Sequence, residues 1–403
     1  MLDLRDEDFL TNPGPHLARM RAEGPLAHVR LPLIGPSWLT TTDAATRALL
    51  KDAERFDRDP KTSTGKSMVQ TYWWLPRRVQ PLMEGLILKD GAEHRRLRGL
   101  VSQAFARSNM EALRPAIASR ADALLDKIDP TAPVDLVPAF TKQLPFEVIC
   151  DLMGFAAADM PYLKRALAPL SGAGSAIGIM WSLSRLGGLL RFMRRAFETA
   201  RQSPRPGLLT ELVHARDGTD QLSDDELLAM VMILFIAGHE TTVHLLNDCL
   251  LTLIDRPEMR GSILANRDAM ALFIEEAMRH WTPVMLTKFH FARQDIEFMG
   301  VPLSKGTRVG AFLLAANHDP ARISDPGFRA DRRPNPHLGF GHGPHVCLGM
   351  QLARIEASVA LERLLLRFPD VCLQGSPPRW LRRVGLRGPE SLTVHLIPPA
   401  RTA

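Results

Sequence analysis

Ten residues near the C-terminal end constrain this chain more than any others: Phe340-Gly341-His342-Gly343-Pro344-His345-Val346-Cys347-Leu348-Gly349. Leu348, Leu352, Ile355 and Val359 then repeat at spacings of four, three and four, so the run opens directly onto an apolar helix face. The pattern predicts a tight loop that presents one sulfur at a helix N-terminus. There, free N–H groups and the helix dipole favour a thiolate. Gly341 and Gly343 let the backbone approach a flat ligand that side chains would hold off. A single soft sulfur on such a loop suits the iron of a haem. Two plainer readings stand beside it. An isolated cysteine is most often a buried apolar residue, and a glycine-rich loop before a helix can bind phosphate. No Lys-Ser/Thr pair ends this loop, however, and it does not read G-x-G-x-x-G after a strand.

At 403 residues the chain is long enough for two or three domains. No Ser/Gly-rich or charged linker divides it, and motifs from residue 94 to 347 converge on one chemistry, so residues 1–403 read as a single domain. Cys150, Cys249, Cys347 and Cys372 lie far apart, with no disulfide-framework spacing, which fits a reducing cytoplasm. The charged N-terminus lacks the apolar core of a signal peptide. The strongest apolar run, 227–238, spans 12 residues against about 20 needed to cross a bilayer. A soluble protein with no membrane partner is expected. The net charge of +6 raises nucleic acid as a partner, yet no aromatic-interleaved basic motif appears. An acidic protein partner fits such a surface better.

The remaining pattern is mainly helical with small β-sheets. Residues 15–23 read as a short helix, and 28–31 with 37–40 as a hairpin around Ile34-Gly35-Pro36. Short strands are expected at 296–298, 308–309 and 392–396. The longest helix starts at a capping box, Ser223 with Glu226, and runs past Leu250. Ala237-Gly238-His239-Glu240-Thr241-Thr242 interrupts its apolar sequence. Gly238 costs about 1 kcal/mol there relative to alanine, so either helix packing or a close ligand must account for it. Threonine hydroxyls bonded to the preceding turn can bend the helix and open a groove. Glu276 and Arg279, three apart, share a helix face and by spacing alone form a surface ion pair. His94 and Arg98, four apart, likewise read as a solvated face.

Together, F-G-x-G-x-H-x-C-x-G, the A-G-x-[DE]-T run at 237–241, Glu276-x-x-Arg279 and His94-x-x-x-Arg98 resemble the cytochrome P-450 family, from residue 25 to 396. The resemblance implies a triangular helical haem-thiolate domain with haem b and molecular oxygen as a monooxygenase's cofactor and co-substrate. Cys347 would be the axial iron ligand, with Phe340, Gly341 and Gly349 shaping its loop. His94, Arg98 and His345 would hold the haem propionates. Soluble bacterial members usually carry arginine where this chain has His290, so a propionate bond there would use an imidazolium of raised pKa. Glu240 would relay protons and Thr241 would hydrogen-bond dioxygen, while Glu276 and Arg279 would be structural and buried.

The same resemblance places the substrate pocket along Trp73-Trp74, 177–183, Ile236-Ala237, Val284, Leu286, Thr287, and 388–392 with Glu390 and Ser391. Its apolar content implies a hydrophobic secondary metabolite that is hydroxylated or epoxidised. Electrons would come from a ferredoxin or flavodoxin-type donor with its reductase, docking near Arg95, Arg96 and Arg354. The alternatives are a peroxide-using haem enzyme of this fold and a non-catalytic haem sensor. Retention of Glu240-Thr241 argues against both.

Overall fold

Helix α1 (Pro13–Glu23) leads into an antiparallel hairpin, β1 (Leu26–Leu31) with β2 (Gly35–Thr40), registered from Leu26 opposite Thr40 to Leu31 opposite Gly35. The protein is described here from a computed structural model that covers residues 3–399 except 33, 72, 74–75, 103–104, 106–109, 172–175 and 218–219. The alternation in β1 buries Val29 and Leu31 and leaves His28 and Arg30 exposed, as a period of two requires. Helix α2 (Asp43–Lys51) is capped by Thr42, whose hydroxyl accepts from the Ala45 N–H at 3.2 Å. The end of α2 meets the cysteine loop closely: a Cβ on Gly343, at φ +72°, would lie 2.6 Å from the Leu50 carbonyl oxygen. Only glycine fits there.

Strand β3 (Phe56–Asp57) precedes α3 (Gly91–Ser102), which carries His94 and Arg98. Then come α4 (Arg114–Leu125), β4 (Val134–Asp135), α5 (Gln143–Met153) and α6 (Ala176–Gln202). The central α7 (Asp224–Asp255) starts at the expected capping box. Ser223 Oγ accepts from the Glu226 N–H at 3.3 Å, and Glu226 Oε2 accepts from the Ser223 N–H at 2.8 Å. Asp224, Asp225 and Glu226 in the first turn complement the dipole. By length and composition α7 could cross a membrane, but more than half of its most apolar stretch is buried inside the fold.

Helix α8 (Arg267–Trp281) is followed by β5 (His290–Ala292), β6 (Arg308–Gly310), α9 (Met350–Arg367), β7 (Asp370–Leu373) and β8 (Thr393–Ile397). Long-range pairing assembles a five-stranded sheet in the order β1-β2-β6-β5-β3 and a three-stranded one, β7-β8-β4. His290 stands opposite Val309, so the sheet fixes where its ring can go. Residues Ile296–Phe298 and Val301–Leu303 form a separate hairpin. Helices α4, α7 and α8 pack on α9, burying Leu352, Ile355 and Val359, the apolar repeat read from the sequence.

Candidate active site

The cysteine loop is built from its own backbone. The Gly341 N–H donates to Leu338 O at 2.7 Å with φ +76° at Gly341, and the Cys347 N–H donates to Phe340 O at 2.8 Å. The sulfur precedes the first residue of α9, Met350, by three positions. Cys347 keeps an accessible surface although protein encloses it on most sides, so it lines a recess. Burial pushes its thiol up, against the Gly349 N–H, Arg98 and Arg354, which pull it down. The loop N–H favours the thiolate as expected in direction, but burial outweighs it. A metal cation at the sulfur is what would deprotonate it.

Around the sulfur stands a cationic cluster. The rings of His94 and His345 lie 4.0 Å apart, and Arg98 is electrostatically coupled to Cys347. His345 Nε2 donates to Asp90 Oδ1 at 3.1 Å, and Asp90 Oδ2 accepts from the Arg58 N–H at 2.6 Å. Burial and the His345 and Arg98 charges lower the His94 pKa to about 4. Arg58 and His290 are only 5% and 6% exposed. His94 Nε2, Arg58 Nε and His290 Nδ1 are all buried without a hydrogen-bond partner. Orphaned buried donors need an anion or an acceptor. A haem fits: its iron would meet Cys347, and its propionates would meet these donors.

Burial, followed by the Arg58 charge, drives the His290 pKa well below its usual value, with Asp90 the one opposing influence. The protein around His290 thus opposes the expected imidazolium, first through burial and then through the Arg58 guanidinium, and only a propionate beside the ring would counter them. Arg58 and Asp90 were missed in the sequence. Asp90 stood legible four residues before His94; nothing local marked Arg58.

A buried network supports the loop from below. Arg279 Nε and Nη2 donate to Glu276 at 2.9 and 2.7 Å, and both side chains are 0% exposed. Arg332 Nε and Asn335 Nδ2 also donate to Glu276 Oε2, at 2.9 and 3.1 Å. Spacing alone had suggested a surface pair; Arg332, Asn335 and the Arg329 N–H, all remote in sequence, bond to Glu276 and bury it instead. Neighbouring Glu275 accepts two 2.7 Å bonds from Arg354 and one of 3.0 Å from His337. Burial would raise its pKa, but these bonds outweigh that and bring it to about 2. Arg354 also lies 4.6 Å over Phe340, so it ties α8 to the cysteine loop. Arg96 is likewise paired, with Glu226. Of the three arginines expected at a docking face, Arg95 is the exposed one.

On α7, Thr241 Oγ1 donates to Ala237 O at 2.6 Å and Thr242 Oγ1 to Gly238 O at 3.2 Å. The helix continues through these bonds. Ile236, 37% exposed, and Ala237 open a bare patch on an otherwise buried helix. Arg383 Nη1 donates to Glu240 Oε1 at 2.5 Å. Burial still leaves the Glu240 pKa raised, against the opposing charges of Arg383 and Lys142.

The turn that carries Arg383 also pairs with the predicted pocket segment. Met285 N–H donates to Gly385 O at 2.9 Å, and Val284 bridges to Leu386. The turn at 383–386 thus approaches Glu240, Val284 and Leu286. Glu390 is exposed and its N–H donates to Arg379 O at 2.8 Å. Leu286 is buried, Thr287 Oγ1 donates to Lys288 O at 3.0 Å, and Trp73 is 77% exposed. Trp74 lies outside the described residues, as do the side chains of 177–183.

Comparison with known proteins gives a consistent result. Residues 186–391 match the family model described as Cytochrome P450. The chain is 38% identical over 379 residues to the mycinamicin IV hydroxylase/epoxidase of Micromonospora griseorubida, covering 92% of each. Its fold superposes on the bacillaene polyketide synthase cytochrome P450 PksS of Bacillus subtilis 168 with a TM-score of 0.90 and 31% identity, covering 98% of this chain and 100% of that one. P450BioI, solved with an acyl carrier protein ligated to hexadec-9Z-enoic acid, superposes with a TM-score of 0.87 and 30% identity, covering 97% and 99%.

Proposed function

The chain belongs to the cytochrome P450 family and is a haem-dependent monooxygenase, and from that premise we propose how its own residues divide the work and which substrates it takes. Bound haem supplies the oxidising chemistry: dioxygen, two electrons and two protons yield one oxygen atom inserted into a C–H or C=C bond and one water. The observation that carries the assignment of residues is the lone Cys347 beside unpartnered buried donors on His94, Arg58 and His290. Cys347 ligates the iron, and His94, Arg98 and His345 bind propionate. Since these residues and Glu240-Thr241 come from distant parts of the chain, 1–403 works as one domain.

Glu240 is the proton carrier. Its raised pKa lets it hold a proton nearer neutral pH than an exposed carboxyl, and a charged side chain at its oxygen gives it somewhere to swing from. Thr241 offers a hydroxyl at the turn where Ile236 and Ala237 lie bare. The substrate is a hydrophobic secondary metabolite of polyketide type. The apolar residues Ile236, Val284 and Leu286 support this, as do the mycinamicin and bacillaene relatives. Electrons come from a soluble ferredoxin-type partner in the cytoplasm, with Arg95 on the docking side.

Thr241→Ala tests the distal half of this reading. The variant should bind substrate as the parent does, because the hydroxyl acts only after dioxygen arrives. Product per electron consumed should fall severalfold, with hydrogen peroxide making up the balance. Equal coupling in parent and variant would remove Thr241 from the mechanism.

A further inference from the structure

Positive charge in the cluster beside Cys347 exceeds what the protein itself neutralises. Arg58 is buried, its Nε is unpartnered, and its one side-chain bond among those described is a 3.5 Å contact from Nη1 to Ile87 O. The carboxylate facing it, Asp90, is already bonded to the Arg58 backbone N–H and to His345. Lys288 precedes His290, the first residue of β5, by two residues. It makes no ion pair among the described residues. Lys288 is itself exposed.

Its charged neighbours are Arg383 and Arg58, both cations. Arg383 is offset by Glu240, but Arg58 is buried with no carboxylate bonded to its side chain among the described residues, and a buried cation left so costs several kcal/mol unless an anion completes the site. In accordance with this, burial and these like charges lower the Lys288 pKa, and burial lowers that of Arg58 to about 10.

We propose that Arg58 and Lys288 together hold the second haem propionate, with the unpartnered Nδ1 of His290 beside them. The inference rests on the haem assignment and extends it. His94, Arg98 and His345 serve one propionate; Arg58 and Lys288 serve the other. Asp90 joins the halves by holding the Arg58 backbone and the His345 ring. A lysine at 288 with an arginine at 58 supplies from two segments the charge that an arginine at 290 would bring.

The test is the rate at which the ferric holoenzyme gives up haem to excess apomyoglobin. Arg58→Gln and Lys288→Gln should each accelerate loss about tenfold, the loss expected for one charge-assisted bond. Arg58→Lys should recover most of the difference, and Arg95→Gln, on the exposed side of α3, should match the parent. The carbon monoxide spectrum of each reduced variant, taken before transfer, verifies that the fold and thiolate ligation are intact. If Arg58→Gln does not fold, Lys288→Gln alone decides.

Parental rates in both glutamine variants would overturn the proposal while leaving the haem assignment standing. A parent without a thiolate-haem spectrum would sink both. If Lys288→Gln retains haem normally but loses affinity for carboxylate-bearing ligands, Lys288 faces substrate and its half of the proposal is wrong.

Discussion

Replacing Glu276 with alanine should cost about 3–5 kcal/mol of stability, the loss typical of a broken buried ion pair. Both Glu276 and Arg279 are fully buried, and Arg332 and Asn335 bond to the same carboxylate. The carboxylate therefore compensates two guanidinium groups, and alanine leaves both buried and uncompensated. Their backbone partners remain: Arg279 donates to Asn317 O at 3.1 Å and to Pro326 O at 3.0 Å. Those carbonyls carry partial charge only. Urea unfolding of the holoenzyme measures the effect as a fall in midpoint at similar slope. A loss under about 1 kcal/mol would mean that the network is no stronger than a surface pair.

The second large effect is expected at Glu240. Glu240→Gln should lower kcat on the order of 100-fold while leaving substrate affinity nearly unchanged, as for removal of a positioned proton donor. The electrostatics give the prediction a sign. Arg383 favours the carboxylate, so Arg383→Gln should raise the Glu240 pKa further. The pH at which turnover changes with Glu240 ionisation should therefore move upward in Arg383→Gln. An unchanged profile would mean that another group titrates, and full activity in Glu240→Gln would remove the carboxyl from proton delivery.

What the sequence revealed was local in character. The Cys347 loop announces itself because its glycines, sulfur and following helix are contiguous. The start of α7 was legible because a capping box is four residues long and means the same in any fold. Arg58, Lys288 and Arg383 carried no such mark. Each matters only because the bend after β3, the segment before β5 and the turn before β8 come together in three dimensions. The surroundings of His290 were hidden for the same reason: burial, and then an arginine just after β3, oppose a charge on the ring. The approach of the turn at 383–386 to Glu240 was not legible because an irregular turn has no periodicity from which to fix register. Exposure misled in the opposite direction at Glu276-Arg279, where partners from 317–335 bury what spacing would leave on the surface.

Every role assigned here depends on the sulfur of Cys347 meeting haem iron. The most direct measurement is the absorption spectrum of the reduced protein under carbon monoxide, for the parent and for Cys347→Ser. Thiolate donation should place the parent's Soret band at about 450 nm, and serine should abolish that band along with turnover. A 450 nm band that survives in Cys347→Ser would contradict the account, because no other described cysteine lies in the cationic cluster to replace it.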